Sequence, residues 1–190
     1  MPLLKRYLPL CLLGSLLACN SGNRDPVADA KFQNEQRIGN EDITKRQEQD
    51  AEFLVEAATN GLLEVELSKL AQSKATRPEV RNLAQQLMRG HTGINASLRS
   101  LAGQKNLAVP DALGGDQQDV YKELAGLTGA EFDRQYVEEI VDAHNNAEDA
   151  FEDMADEAYD GDIRAFAAKY APVLEEHRKQ AEQVEDLLKP

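Results

Sequence analysis

Cysteine is almost absent from this chain of 190 residues, and both copies, Cys11 and Cys19, fall at its extreme N-terminus. Everything after them lacks a thiol for a disulfide or a soft metal site. Tryptophan is missing and aromatics reach only 5%, while Ala, Leu, Glu, Gln and Asp dominate, which favours helices over strands. Positive charge is scarce: 21 Lys and Arg face 34 Asp and Glu, for a net charge of −13. So acidic a surface repels phosphate backbones and excludes nucleic acid as a partner. No basic amphipathic face exists to lie on an anionic membrane. A nucleophile elbow for Ser–His–Asp catalysis and a Gly-rich phosphate loop are both lacking.

The first residues read as an export signal. Lys5 and Arg6 precede a short apolar stretch, Tyr7 to Leu17, broken by Pro9 and closed by the small Ala18. The stretch is too short to span a bilayer. Leu16-Leu17-Ala18-Cys19 resembles a bacterial lipobox, in which Cys19 is lipidated and becomes the new N-terminus; ordinary cleavage near Ala18 is the alternative. Asn20 after the cysteine, rather than Asp, points to the outer membrane. The expected organisation is a signal peptide over 1–18, a disordered tether over 19–47 with Gly22, Pro26 and Gly39, and a helical domain over 48–190.

Within that domain, helical spacing predicts four long helices. The first spans about Asp50 to Ala75. The second opens on the capping box Thr76-Arg77-Pro78-Glu79 and runs to about Gly103. An irregular segment follows, long enough to cross the end of a bundle, with a short helix near Gln117 to Ala125. The third helix opens on a second box, Thr128-Gly129-Ala130-Glu131, and the fourth is capped by Asp162 and contains Pro172, which should kink it. The order hairpin, crossover, hairpin predicts an all-α four-helix bundle.

The chain has three histidines, and each sits where a helix should bury a Leu. His91 lies 15 residues past Thr76, His144 lies 16 past Thr128, and His177 lies 15 past Asp162; Glu64 is 14 past Asp50. In antiparallel helices of similar length these offsets place all four side chains in one layer. Buried polar groups need compensation, either mutual hydrogen bonds or a cation. Three imidazoles and a carboxylate suit one divalent ion, Zn, Fe, Mn or Cu, without selecting among them. The other reading is a Glu–His network that sets helix register. Glu148, one turn past His144, is a candidate second carboxylate. The Glu-x-x-His pairs of dinuclear centres are absent, since Met88, Val141 and Leu174 stand three residues before the histidines.

Several segments in order resemble a bacterial ferritin-like family, domain of unknown function 4142. They are Phe53-Leu54-Val55-Glu56-Ala57-Ala58, Glu64 to Ala71, Ala84 to His91, Phe132 to Val137, and Ala171 to His177. The resemblance covers about 48–188 and implies an exported four-helix bundle, often a lipoprotein or periplasmic protein, with Pro172 a family feature. Where the family pattern has an acidic residue before the histidine of the second helix, this chain has Gly90. The family has no settled activity. The combined expectation is an envelope lipoprotein, anchored through Cys19, that binds one divalent metal for metal handling or a stress role. The alternatives are a metal-dependent oxidase or peroxide-consuming enzyme, and an interaction module with a hydrogen-bonded polar core.

Overall fold

A computed structural model describes residues 25–39 and 45–189. Among these residues are six helices and no strands: α1 (Pro26–Ile38), α2 (Lys45–Lys74), α3 (Pro78–Gln104), α4 (Gly115–Gly126), α5 (Gly129–Glu157) and α6 (Gly161–Leu188). The four long helices form the expected bundle. α2 and α3 make one hairpin and α5 and α6 the other, with α2 packed on α5 and α3 on α6. None of the helices described is long and apolar enough to cross a membrane. The expected signal and Cys19 lie outside the described residues.

Hydrogen bonds fix the directions. Asp133, at the start of α5, reaches the α2–α3 turn, and Lys105, just past α3, pairs with Asp160 and Asp162 at the start of α6. α3 and α5 therefore run the same way, and the segment joining them travels the length of the bundle instead of crossing its end. α4 packs against α2 and α5 on that return. Helices diagonal across the bundle (α2 with α6, α3 with α5) are parallel, and neighbours are antiparallel.

The stretch expected to be a tether contains α1. Asp25 caps it by accepting from the Val27 and Ala28 N–H groups at 2.9 and 3.1 Å, and Pro26 supplies the first residue. Ala30, Asn34 and Ile38, four residues apart, form its buried face. Asn34 accepts from the Ala108 N–H at 2.7 Å and donates to the Ala108 carbonyl at 2.9 Å, which ties α1 to the return segment. α2 likewise begins at Lys45, earlier than its apolar stripe suggested.

The expected capping boxes do not form; the caps come from elsewhere. Neither Arg77 nor Thr128, the residues at the N-caps of α3 and α5, makes a side-chain cap bond. The α2–α3 turn is held instead by the fully buried Asp133, which accepts from the Thr76 and Arg77 N–H groups at 3.0 Å and from the Thr76 hydroxyl. At the other end Asp50 of α2 accepts from the Tyr159 and Asp160 N–H groups at 2.9 and 2.7 Å. Each hairpin thus inserts a buried aspartate into the other's turn. Asp160, rather than Asp162, caps α6. Pro172 lies inside α6, which continues from Gly161 to Leu188.

The apolar core is divided in two. One cluster includes Leu67, Leu83, Leu87, Phe132, Tyr136 and Ile140. The other includes Leu54, Leu98, Phe151, Ile163, Phe166 and Leu174. Between them lies the layer of polar side chains.

Candidate metal centre

α2, α3, α5 and α6 each send one side chain into that layer: Glu64, His91, His144 and His177. All are buried, with exposures of 2%, 3%, 0% and 8%. The sequence placed them at one depth, and the bundle brings them into contact. His91 Nε2 lies 3.0 Å from Glu64 Oε2 and 3.2 Å from His144 Nε2. His144 Nδ1 is 3.4 Å from Glu64 Oε2. His177 completes the set: one nitrogen of each imidazole falls within 4.8 Å of the other two. Its ring centroid is 5.2 Å from that of His91 and 5.5 Å from that of His144.

Hydrogen bonding accounts for part of this arrangement. A carbonyl oxygen only accepts, so His144 Nδ1, 2.9 Å from the Ile140 carbonyl, carries the proton. That leaves Nε2 as a lone pair aimed into the layer, the arrangement a ligating histidine takes when its second nitrogen is held by a backbone carbonyl. His91 Nε2 then faces two acceptors, the His144 lone pair and the Glu64 carboxylate, and one N–H cannot point at both. Glu64 Oε2 and His177 Nδ1 are buried with no hydrogen-bond partner. Such atoms cost roughly 1–3 kcal/mol each when left unpaired.

A cation would resolve the conflict. Ligands at about 2.0–2.1 Å from a metal are separated by roughly 3.0–3.4 Å along the edges of an octahedron or tetrahedron. The two contacts between prospective ligand atoms, 3.0 Å from His91 Nε2 to Glu64 Oε2 and 3.2 Å from His91 Nε2 to His144 Nε2, match those edges. The donor set, imidazole nitrogen with one carboxylate, suits Zn, Fe, Mn or Cu.

The shifts at His144, His177 and Glu64 agree with ligation, which needs neutral imidazoles and an ionised carboxylate. Burial, and then His91 and His144, push the His177 pKa down to about 4. Burial also lowers that of His144, against the raising influence of Glu64. Burial opposes the ionisation of Glu64, but His91, His144 and His177 together outweigh it and hold the carboxyl below its ordinary value.

The consequence is acid sensitivity of the metal-free protein. His177 falls from 6.5 to about 4 on folding, so the unfolded chain takes up the proton first as pH drops. Stability is retained above pH 6.5 and lost towards pH 4, by about 3 kcal/mol from this group. The depressed Glu64 acts in the same direction, its contribution disappearing as pH falls through its folded value. Urea midpoints of metal-free protein at pH 7, 6, 5 and 4 should decline, and His177→Leu should flatten the decline. A wild-type midpoint that stays level from 6.5 to 4 contradicts this.

Gly90 has a role that composition did not reveal. A Cβ there would lie 2.6 Å from His177 Cε1 and 2.8 Å from its Nε2, so the missing side chain is the space the ring occupies. Gly90→Ala should favour the helix by up to about 1 kcal/mol, yet displace His177. The expected result is an intact fold with metal affinity at least tenfold weaker, read by competition with a chromogenic chelator. Unchanged affinity would show that His177 is not a ligand.

Glu148, the candidate second carboxylate, is paired with Arg178 at 2.6 Å on the half-buried rim. It is engaged there and not in the polar layer. Sequence reasoning missed Asn95, buried on α3 one turn past His91 with Oδ1 unbonded. The carboxamide fills the space over Gly61, where a Cβ would sit 2.1 Å from Oδ1. An Asn among Ile94, Leu98 and Leu101 was the available signal.

Fold and site together define a four-helix bundle with a buried polar centre, one donor from each long helix. The chain belongs to the family described as Domain of unknown function (DUF4142), whose profile matches residues 38–184. No curated protein matches it. Among solved structures it is similar to the crystal structure of a DUF305 fragment from Deinococcus radiodurans. The TM-score is 0.64 at 13% identity, over 73% of this chain and 95% of that one. At that identity the likeness shows the shared fold alone.

Proposed function

We propose that this chain holds one divalent transition-metal ion between Glu64, His91, His144 and His177 and serves metal handling, or a stress response that depends on it, in the bacterial envelope. The observation that carries the metal reading is the conflict at His91 Nε2, which faces the Glu64 carboxylate and the His144 lone pair together. A hydrogen-bonded core that merely set helix register would pair its atoms, whereas Glu64 Oε2 and His177 Nδ1 are unpaired. The envelope location is supported by the lipobox-like Leu16-Leu17-Ala18-Cys19 in the sequence, where lipidation of Cys19 would anchor the chain to the membrane.

A second reading, a metal-dependent oxidase or peroxide-consuming enzyme, draws support from one feature. A cavity of about 150 Å³, walled by Phe53, Ile94, Phe151 and Leu174, reaches Glu64 and His91. A small molecule could approach the ion there.

The test is metal content by elemental analysis of untagged protein prepared without chelator, beside the His91→Ala/His144→Ala double variant. About one equivalent of one metal, absent from the variant, is expected. A metal-free wild type that takes up none of the four ions on titration would sink the proposal. Turnover of peroxide by the loaded wild type alone would select the enzymatic reading.

A further inference from the structure

A buried centre needs a path for its ion, and the surface of the bundle is not uniform around it. On the α2–α5 seam a cavity of about 190 Å³ has Glu64 as its inner wall and Asn60, Glu139, Asp142 and Asn146 further out. Asn60, Asp142 and Asn146 are exposed, so the cavity opens to solvent, while Glu139 is half-buried between them and the core. The cavity walled by Phe53 and Phe151 shares Asn60, Glu64 and Asn146 with it. Among the described residues, no Lys or Arg lines either. A liquid water occupies about 30 Å³, so 190 Å³ gives room for an ion with several of its waters.

Acidic surface residues alone would mean little in a chain this negative. Here they lead to Glu64, a side chain 2% exposed whose Oε2 has no hydrogen bond. The carboxylates also feel one another: burial, then Asp142, Glu123 and Glu64, hold Glu139 above the usual range. The opposite side of the centre differs. There Arg178 spans Glu148 and Glu182, and the His177 ring closes onto the α3 backbone at Gly90.

We propose that the α2–α5 cavity is the uptake route for the metal, with Glu139 and Asp142 as a vestibule that captures a hydrated divalent cation and passes it to Glu64. This rests on the metal-binding reading and specifies how that site is filled. Asn60 and Asn146 offer carbonyl oxygens that replace lost waters along the path, and Glu64 is the first of the four donors the ion meets. Negative potential focused in a cleft raises cation association rates by roughly 10–1,000-fold and is weakened by salt.

Stopped-flow uptake of Co(II) by metal-free full-length protein, followed through its visible bands, tests the route. Glu139→Gln/Asp142→Asn should load about tenfold more slowly at low ionic strength, and the gap should narrow in concentrated salt. The loaded variant should show the wild-type Co(II) spectrum, since neither carboxylate is a ligand. Asp111→Asn/Asp116→Asn, an equal charge change at exposed positions on the return segment, should load at the wild-type rate. An unchanged rate in the first variant, or the same slowing in both, overturns the route and leaves the site standing. A wild type that takes up no Co(II) overturns the route together with the metal reading.

Discussion

Metal-loaded protein is expected to unfold about 4 kcal/mol above the metal-free form when the free ion is a thousandfold over its Kd. For a domain of this size that corresponds to roughly 8–16 °C in Tm. The gain should vanish on chelation and be absent from His91→Ala/His144→Ala. His177→Leu gives the sharper comparison. It replaces a buried ring that has an unbonded Nδ1 with an apolar group of similar bulk. If the layer exists to hold a cation, the metal-free variant should be as stable as metal-free wild type, or more so, because an unpaired buried polar atom has gone. It should also have lost the response to metal. If the layer were a hydrogen-bonded register device, the same change should destabilise the chain with or without metal. Calorimetry of both proteins with and without zinc separates the two readings.

The second large effect belongs to the inter-hairpin aspartates. Asp133→Ala is expected to destabilise the bundle by about 3–4 kcal/mol. It strands the Thr76 and Arg77 N–H groups and the Thr76 hydroxyl, and it empties a fully buried position. Asp133→Asn, which keeps one acceptor oxygen, should lose about half as much. Asp50→Ala removes two such bonds at the opposite end and should cost about 2–3 kcal/mol. Because the sites share no partner, the double alanine variant should show the sum of the two losses, measured by urea denaturation. A loss under 1 kcal/mol for Asp133→Ala would mean that Thr76 and Glu79 rebuild the local capping box, as their spacing allows.

Depth along a helix is readable from sequence when caps and stripes are distinct. Counting from the helix starts puts Glu64, His91, His144 and His177 in one layer, although the starts of α2, α3 and α6 differ in the structure and only Thr128 keeps its N-cap position. At α3 and α6 the start is off by no more than two residues, less than a turn. α2 starts five residues early at Lys45, but Asp50 is still the residue level with the α5–α6 turn, and a four-residue stripe selects the face. Spacing alone does not decide the place of Glu148. It shares the His144 face one turn on, and only the position of Arg178 on α6 decides that its carboxylate is paired at the rim.

Periodicity and composition by themselves determined the four long helices, their order as two hairpins, and the identity of the four inward polar side chains. These depend on local spacing and on which residues resist burial, and both are properties of the chain. Tertiary structure alone decided the rest. α1 forms because Ala30, Asn34 and Ile38 find α2 and Ala108 to pack on, too weak a stripe to fold by itself. Asp133 and Asp50 cap turns about 57 and 110 residues away in sequence, which no local motif encodes. Gly90 matters only because His177 arrives from another helix to use its space. The conflict at His91 Nε2 exists only once α2, α3 and α5 bring Glu64, His91 and His144 together.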